Sequence, residues 1–406
     1  MKRLFLPALA WLATGALAAA TLSPRQQGED FDAMWRAVDA NYAYFEHGRD
    51  AWKRARQTWR PRAANAVSRD AFVAALEGAL GELRDDNVFL SERSAAASRR
   101  IPFETDLWAR WKDGAAVVEA VRTFGDADVA GLRPGVVITR VGNVPVGQAV
   151  RERLGAAPAT ASALDGALRR VLAGPRKGAQ RLEVRDGRRT ATLEIERVEG
   201  AHGNGAAIIG RRMGNERDIG YLRVRVGAND ERLADHFDGA LHYLMDTRAL
   251  ILDLRENAGP GSREATQAIL GRFVAADMPW QIRERRGQPR TTDTVAPRGG
   301  VPYRAPVVVL VDRWTAGEGE ALAAGLSAVA RAQIVGTYTA GLRGELRAAT
   351  LPHSGIEVRF PGEKAFLVSG EPRDTLRPAV LVDLTAPSGG PGDPILYRAL
   401  KLLERR

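Results

Sequence analysis

The apolar positions change period along the chain. Over residues 30–92 they recur at helical spacing: Phe31, Met34, Trp35 and Val38 fall on one face, and Phe72, Ala75, Leu76, Ala79, Leu80 and Leu83 on another. That spacing predicts packed antiparallel helices. Residues 94–100 are small, polar and basic, and read as a linker. Between Pro102 and Arg197 the apolar runs are short, with Gly135 and Gly142 placed to permit turns between strands. Residues 202–215 are glycine-rich and read as a loop or loose hairpin. Beyond them Ile219–Val224 reads as a strand, 233–245 as an amphipathic helix and 249–254 as a buried strand. Strands alternating with helices predict a parallel sheet with crossover connections. Asp393 before Pro394 marks the start of a closing helix, with Asp393 as cap.

The strongest single pattern is Val307–Val311. Five consecutive apolar residues, four of them valine, fit a strand covered on both faces, and an alanine- and leucine-rich helical run follows at 321–330. In the turn between them, Thr315-Ala316-Gly317-Glu318 fits a capping box with Thr315 as the cap. Gly317 and Gly319 are poor helix formers, and glycine there suits backbone that must come close to a ligand.

Composition narrows the chemistry. The 406 residues suffice for two or three domains. The formal charge is +10, but the arginines are scattered rather than gathered in one block, so the excess reads as a solvated surface and not as a nucleic-acid interface. There is no cysteine, which removes disulfides, thiolate metal ligands and a thiol nucleophile together. His47, His202, His236, His242 and His353 show no metal-ligand spacing, and neither metal nor cofactor is expected. Met1-Lys2-Arg3, then an apolar run to Ala20 with small residues at Ala16, Ala18 and Ala20, reads as a secretory signal peptide over 1–20. A membrane anchor is the rival reading, though the run is shorter than a spanning helix needs. Export to the periplasm is the expected address, with no span in the mature chain.

The strand, Trp314, Thr315-Ala316, an acidic residue and the alanine-rich helix together resemble the nucleophile turn of the C-terminal-processing (tail-specific) and tricorn-core serine proteases. In that family the nucleophilic serine lies three residues before a glutamate that matches Glu320, and the position is Gly317 here. Asp253-Leu254-Arg255-Glu256-Asn257-Ala258-Gly259 matches the family's D-L-R-x-N-x-G pattern. The resemblance implies an oxyanion hole from the amides of Gly259 and Glu318. Leu83-Arg84-Asp85-Asp86-Asn87-Val88 resembles the stretch in which tricorn-like members carry a histidine base, with Asn87 at its place. The lysine base of the serine–lysine subtype falls on Leu342. Arg343 cannot substitute, since a guanidinium offers no lone pair. Glu371 could match the acid that supports the histidine. The segment from Ala127 to Val146 is similar to a PDZ-like domain, which implies recognition of an extended peptide by strand addition.

The resemblance thus implies an α/β fold, with a crotonase-like parallel-sheet peptidase domain over 201–406, an N-terminal helical region over 21–100 and a PDZ-like β domain over 101–200. The leading functional expectation is an exported, nucleophile-less member that binds extended peptides or protein C-terminal tails. The alternative is an active hydrolase with a relocated nucleophile, Thr315, Ser262 or Ser327, and a carboxylate base from Glu318, Glu320 or Glu371. A third class, acid–base work on a glycan by Glu318 and Glu371, is set against a low aromatic fraction of 6%.

Overall fold

The computed structural model describes residues 22–46, 48–155, 157–197, 205–227, 230–257, 259, 261–386 and 392–404. The expected signal peptide lies outside them, as do Ala258 and Pro260 of the glycine-containing turn.

Three helices open the chain: α1 (Pro24–Asn41), α2 (Arg49–Ala64) and α3 (Arg69–Gly81), followed by the short strand β1 (Phe89–Leu90). Phe31, Met34 and Val38 of α1 and Phe72, Leu76 and Ala79 of α3 are buried in one cluster, as their spacing predicts. That cluster is completed from the far end of the chain by Leu351, Ile356, Val358 and Phe360, so the helices are not a free-standing unit. The expected linker is also tied down: Ser94 hydroxyl donates to Glu77, and Arg99 is buried and paired with Asp126.

A compact β-rich unit follows, built from β2 (Leu107–Lys112), β3 (Ala115–Val121), the single turn α4 (Asp126–Val129), β4 (Val137–Val141), β5 (Val144–Pro145), α5 (Val146–Leu154), α6 (Ala161–Ala173), β6 (Gly178–Asp186) and β7 (Arg189–Arg197). Its antiparallel sheet runs β2-β3-β4-β6-β7, with its own core around Val118, Ile138, Leu168 and Leu182.

The remainder holds β8 (Ile208–Met213), β9 (Ile219–Val224), α7 (Leu233–His242), β10 (Ala249–Asp253), α8 (Arg263–Leu270), β11 (Met278–Glu284), β12 (Thr291–Val295), β13 (Val307–Val311), α9 (Glu318–Val329), β14 (Gln333–Gly336), β15 (Glu345–Thr350), β16 (Glu357–Phe366), β17 (Val380–Leu381) and α10 (Pro394–Glu404). A six-stranded sheet runs β17-β14-β13-β10-β9-β8, parallel throughout except for the antiparallel edge strand β8. The glycine-rich stretch read as a loop or loose hairpin contributes the strand β8, which pairs antiparallel with β9. Val307, Val309 and Val311 face a core shared with α7, α8 and α9, while Val308 and Leu310 face one closed by α10. The unbroken apolar run of β13 is thus explained by cover on both faces. Asp393 caps α10, its carboxylate accepting from the amides of Ile395 and Leu396.

One layer goes beyond the expected parallel sheet. Strands β1, β16, β11 and β12, with β15 on β16, form a second, antiparallel sheet that packs Trp280 and Val295 onto the main core. It joins the N-terminal helices to the α/β domain.

Candidate functional site

Two turns leave the carboxyl ends of neighbouring parallel strands, β10 and β13, where open α/β sheets place their sites. The first carries Gly259. A Cβ on Gly259 would stand 2.7 Å from the Gly227 Cα, so the backbone crossing requires glycine on both sides. Asn257 ties this turn in place: its Nδ2 donates to the Val224 carbonyl, and its carbonyl accepts from the Ala316 amide of the second turn.

The second turn carries Gly317 at φ 56°, ψ −114°, a sharp strand-to-helix bend in the left-handed region. A Cβ there would meet only the Gly259 carbonyl oxygen, at 3.4 Å, so the two turns adjoin and space for a side chain remains at Gly317. Helix α9 starts at Glu318, with Gly317 as its cap residue, and Glu320 at the third helical position accepts from the Gly317 amide (3.0 Å). This corrects the expected cap. The pattern read as Thr315 to Glu318 is displaced by two residues, because the Thr315 hydroxyl is engaged across the strands instead. It accepts from the Asp312 amide (3.0 Å) and faces the Leu254 carbonyl (2.9 Å), fully buried. A hydroxyl so committed cannot present itself to a substrate, which removes Thr315 as an alternative nucleophile. Ser262 caps α8, accepting from the Ala265 amide and donating to Glu264. Ser327 is an exposed residue of α9.

Glu320 organises the site. Its fully buried carboxylate accepts from the amides of Gly317, Gly341 and Leu342 and from the Thr339 hydroxyl (2.7–3.3 Å). Burial pushes its pKa up to about 7, against the Thr339 hydroxyl, the charge of Arg373 and the amides of Gly341 and Gly317. Through Leu342 the network reaches Arg343, whose carbonyl accepts from Asn87 Nδ2 at 2.8 Å. The three positions at which the family resemblance implies a nucleophile or a base, Gly317, Leu342 and Asn87, are therefore connected in space. None carries the group required: a hydrogen, an isobutyl group, and an amide that already donates.

Glu371 does not join them. It is exposed on the turn after β16, where its carbonyl accepts from the Leu367 amide. The carboxylates near Asn87 are others. Asp85 accepts from the Asn87 amide (2.9 Å) and the Tyr42 hydroxyl (2.7 Å), and Asp374 acts on Arg343 alongside it. Burial pushes both acids upward. Glu318 lies inside the helix start, its carboxylate accepting from the buried Thr266 hydroxyl (2.8 Å), near Glu345 and Arg373. Burial and the like charge of Glu345 push it up to about 7. A buried Glu318 and an exposed Glu371 do not form a facing carboxylate pair. Sequence reasoning missed Asp85, Thr266, Thr339, Glu345, Arg373 and Asp374. Asp85 and Arg373 stand only two residues from Asn87 and Glu371, so their signal lay within the stretches already singled out.

The β unit grips the Gly317 turn directly. Arg313 pairs with Glu119 of β3 through Nη2 and Nε (2.7–3.1 Å), its Nη1 donates to the Thr339 carbonyl, and Trp314 Nε1 donates to the Thr105 carbonyl (2.7 Å). Trp314 also packs with Trp108, Ile101, Ala120 and Ala173.

Residues 218–377 match peptidase family S41, and residues 24–81 match the tricorn protease C1 domain. Among solved structures, the chain is similar to mature CPAF, with 14% identity over 95% of this chain and 97% of that one and a TM-score of 0.62. It is also similar to the photosystem II D1 C-terminal processing protease, with 19% identity, 88% and 93% covered and a TM-score of 0.55. A lipoprotein from Streptococcus agalactiae matches at 12% identity, 96% and 99% covered, with a TM-score of 0.54. At such identities these likenesses are ones of fold.

Proposed function

We propose that the chain, whose residues 218–377 match peptidase family S41, is an exported member of that family that binds extended peptides or protein C-terminal tails without hydrolysing them by a serine mechanism. The observation that carries this reading is the combination at the two turns: a bend shaped for a nucleophile with glycine at its apex, and base positions held by Asn87 and Leu342. A serine mechanism needs a hydroxyl and a base to take its proton, and both are missing together. The neighbouring hydroxyls of Thr315 and Ser262 serve the fold.

The β unit supplies the proposed peptide site. Strand β2 is an edge of its sheet with α6 packed beside it, an arrangement in which a peptide can add as a further strand. Among the described residues no helix is long and apolar enough to cross a membrane.

A fluorophosphonate probe is the direct test. No labelling is expected, together with no turnover of casein or tailed peptides, while a library of C-terminal peptides yields micromolar binders. Stoichiometric labelling with turnover by the unmodified protein would sink the reading.

A further inference from the structure

Where the loop that carries Asn87 meets helices α5 and α6 of the β unit, four arginines gather around one acid. Arg170 of α6 donates through Nε to Asp86 (2.9 Å) and through Nη2 to the Arg84 carbonyl (2.6 Å), so the loop and the helix are in direct contact. The Arg84 guanidinium reaches the end of α5, where its Nη2 stands 3.8 Å from the place of a Cβ on Gly155. Arg153, in the last turn of α5, is acted on by the charges of Arg170, Asp86 and Arg84. Arg169, beside Arg170 on α6, is acted on by those of Asp86, Asp165, Arg170 and Arg313. The four arginines therefore share one stretch of surface, with Asp86, the residue before Asn87, among them.

The charges there do not balance. Asp86 is the one carboxylate that any of the four bonds among the described residues. Asp165 is spent on β2, where it accepts from the Trp111 amide (2.7 Å) and pairs with Arg110. Asp85 is taken by the Tyr42 hydroxyl and the Asn87 amide. Arg84 and Arg153 are exposed, and neither guanidinium has a hydrogen-bond partner among the described residues. Arg169 lies between α6 and β2, over the Trp108 ring at 5.0 Å from its centroid, with its Nε buried and without an acceptor. Partial burial lowers the Arg153 pKa, and the like charges of Arg170 and Arg84 lower it further against the charge of Asp86. A guanidinium stays charged all the same, so the repulsion is not relieved by losing a proton. The carboxyl end of α5 favours a cation in its last turn, which accounts for Arg153 but not for the approach of Arg84 and Arg170 from two other elements. Cations brought together in this way make a positive potential that an anion completes.

We propose that Arg84, Arg153, Arg169 and Arg170 form an anion-recognition patch, and that its occupants are acidic side chains of the polypeptide bound in the cleft, so that this protein selects acidic segments. The patch lies on the path such a chain would take. Arg169 covers Trp108 on the edge strand β2, Arg313 of the Gly317 turn approaches the same ring (5.2 Å), and Asp86 leads into Asn87. Guanidinium forks pair with side-chain carboxylates through parallel, charge-assisted bonds, and complementary potential favours the right partner over neutral and basic ones. The occupant rests on the peptide-binding reading above, whereas the patch rests on the arginines and Asp86 alone.

The test is calorimetric titration of the full-length protein, at low ionic strength, with three alanine-based decapeptides and with inorganic pyrophosphate. The peptides are N-acetylated and C-amidated, so that no terminal charge contributes, and carry three glutamates, three glutamines or three lysines. The glutamate peptide is expected to bind about tenfold more tightly than the glutamine peptide, and the lysine peptide most weakly. The preference should shrink as salt is raised. Arg84→Gln and Arg153→Gln should each weaken the glutamate peptide about threefold, and together about tenfold, while the glutamine peptide is unchanged. Both residues are exposed, so the variants should fold, which circular dichroism checks. Equal binding of the glutamate and glutamine peptides overturns the patch and leaves the peptide-binding reading standing. Pyrophosphate binding that the double variant abolishes, without binding of any peptide, supports the patch, overturns its acidic-peptide occupant and counts against the peptide-binding reading. No binding of any probe overturns both.

Discussion

At the scale of single residues, the site is dominated by carboxyl groups held where water cannot reach them. Glu318 is the most consequential, because its burial is offset only by Thr266 and by the more distant charges of Arg263 and Arg373, while Glu345 opposes it. Its pKa rises from 4.5 to about 7 on folding. A carboxyl whose folded pKa is raised binds its proton more tightly in the native state, so the folded state is favoured at low pH. That advantage fades as pH rises from about 4.5 to about 7 and is absent above. Glu318→Gln keeps an acceptor for Thr266 and removes the charge. Urea melts should therefore find the variant close to the parent near pH 4.5 and more stable at pH 8, by on the order of 1–3 kcal/mol. A variant that loses stability at pH 8 would mean that Arg373 holds Glu318 ionised after all.

At the scale of elements, the two turns depend on backbone passing close to backbone. Gly259→Ala would press a methyl group onto the Gly227 Cα, with main chain on both sides and no side chain free to yield. A loss of about 1–3 kcal/mol is expected in denaturant melts. Gly239→Ala, in the middle of α7 with nothing within 4 Å of the new methyl, should instead gain about 0.5–1 kcal/mol. Equal effects at the two positions would contradict the close approach. The same elements show what the sequence could and could not reveal. Val307–Val311 was readable because cover on both faces leaves a continuous apolar run, and the closing helix because Asp393-Pro394 is a strong local start signal. The start of α9 was misplaced because two overlapping windows each put a glutamate three residues after a candidate cap. The choice between them is made by Leu254 and Asp312, which capture Thr315 from across the sheet. The antiparallel layer left little trace, since its strands pair β1 with β16 across most of the chain. The resemblance points to Glu371 rather than Asp85 as the acid beside Asn87 for the same reason: the partners of Asn87 are set by tertiary packing and not by spacing.

At the scale of the whole molecule, three parts of the chain meet at one point: the helical region supplies Asn87, the β unit holds Arg313 and Trp314, and the α/β domain supplies Gly317. If these positions are an intact peptidase geometry lacking only its reactive groups, restoring the groups should restore some chemistry. Gly317→Ser has room, its Cβ meeting only the Gly259 carbonyl oxygen at 3.4 Å, but at φ 56° a side chain costs about 1–3 kcal/mol. Alone it should stay inactive, because no base reaches the hydroxyl. Asn87→His can keep the bond to the Arg343 carbonyl with one ring N–H and leave the other nitrogen as an acceptor, while Asp85, which accepts from the backbone amide of residue 87, lies close enough to favour the protonated ring by its charge. The Gly317→Ser, Asn87→His double variant is therefore expected to label with fluorophosphonate and to cleave casein at least tenfold faster than either single variant. That is the low end of the roughly 10²–10⁴-fold that a positioned base contributes, reduced because Asp85 is also engaged by Tyr42. A double variant no faster than Gly317→Ser would mean that Asn87 and Gly317, though linked through Glu320 and Leu342, do not share one cleft.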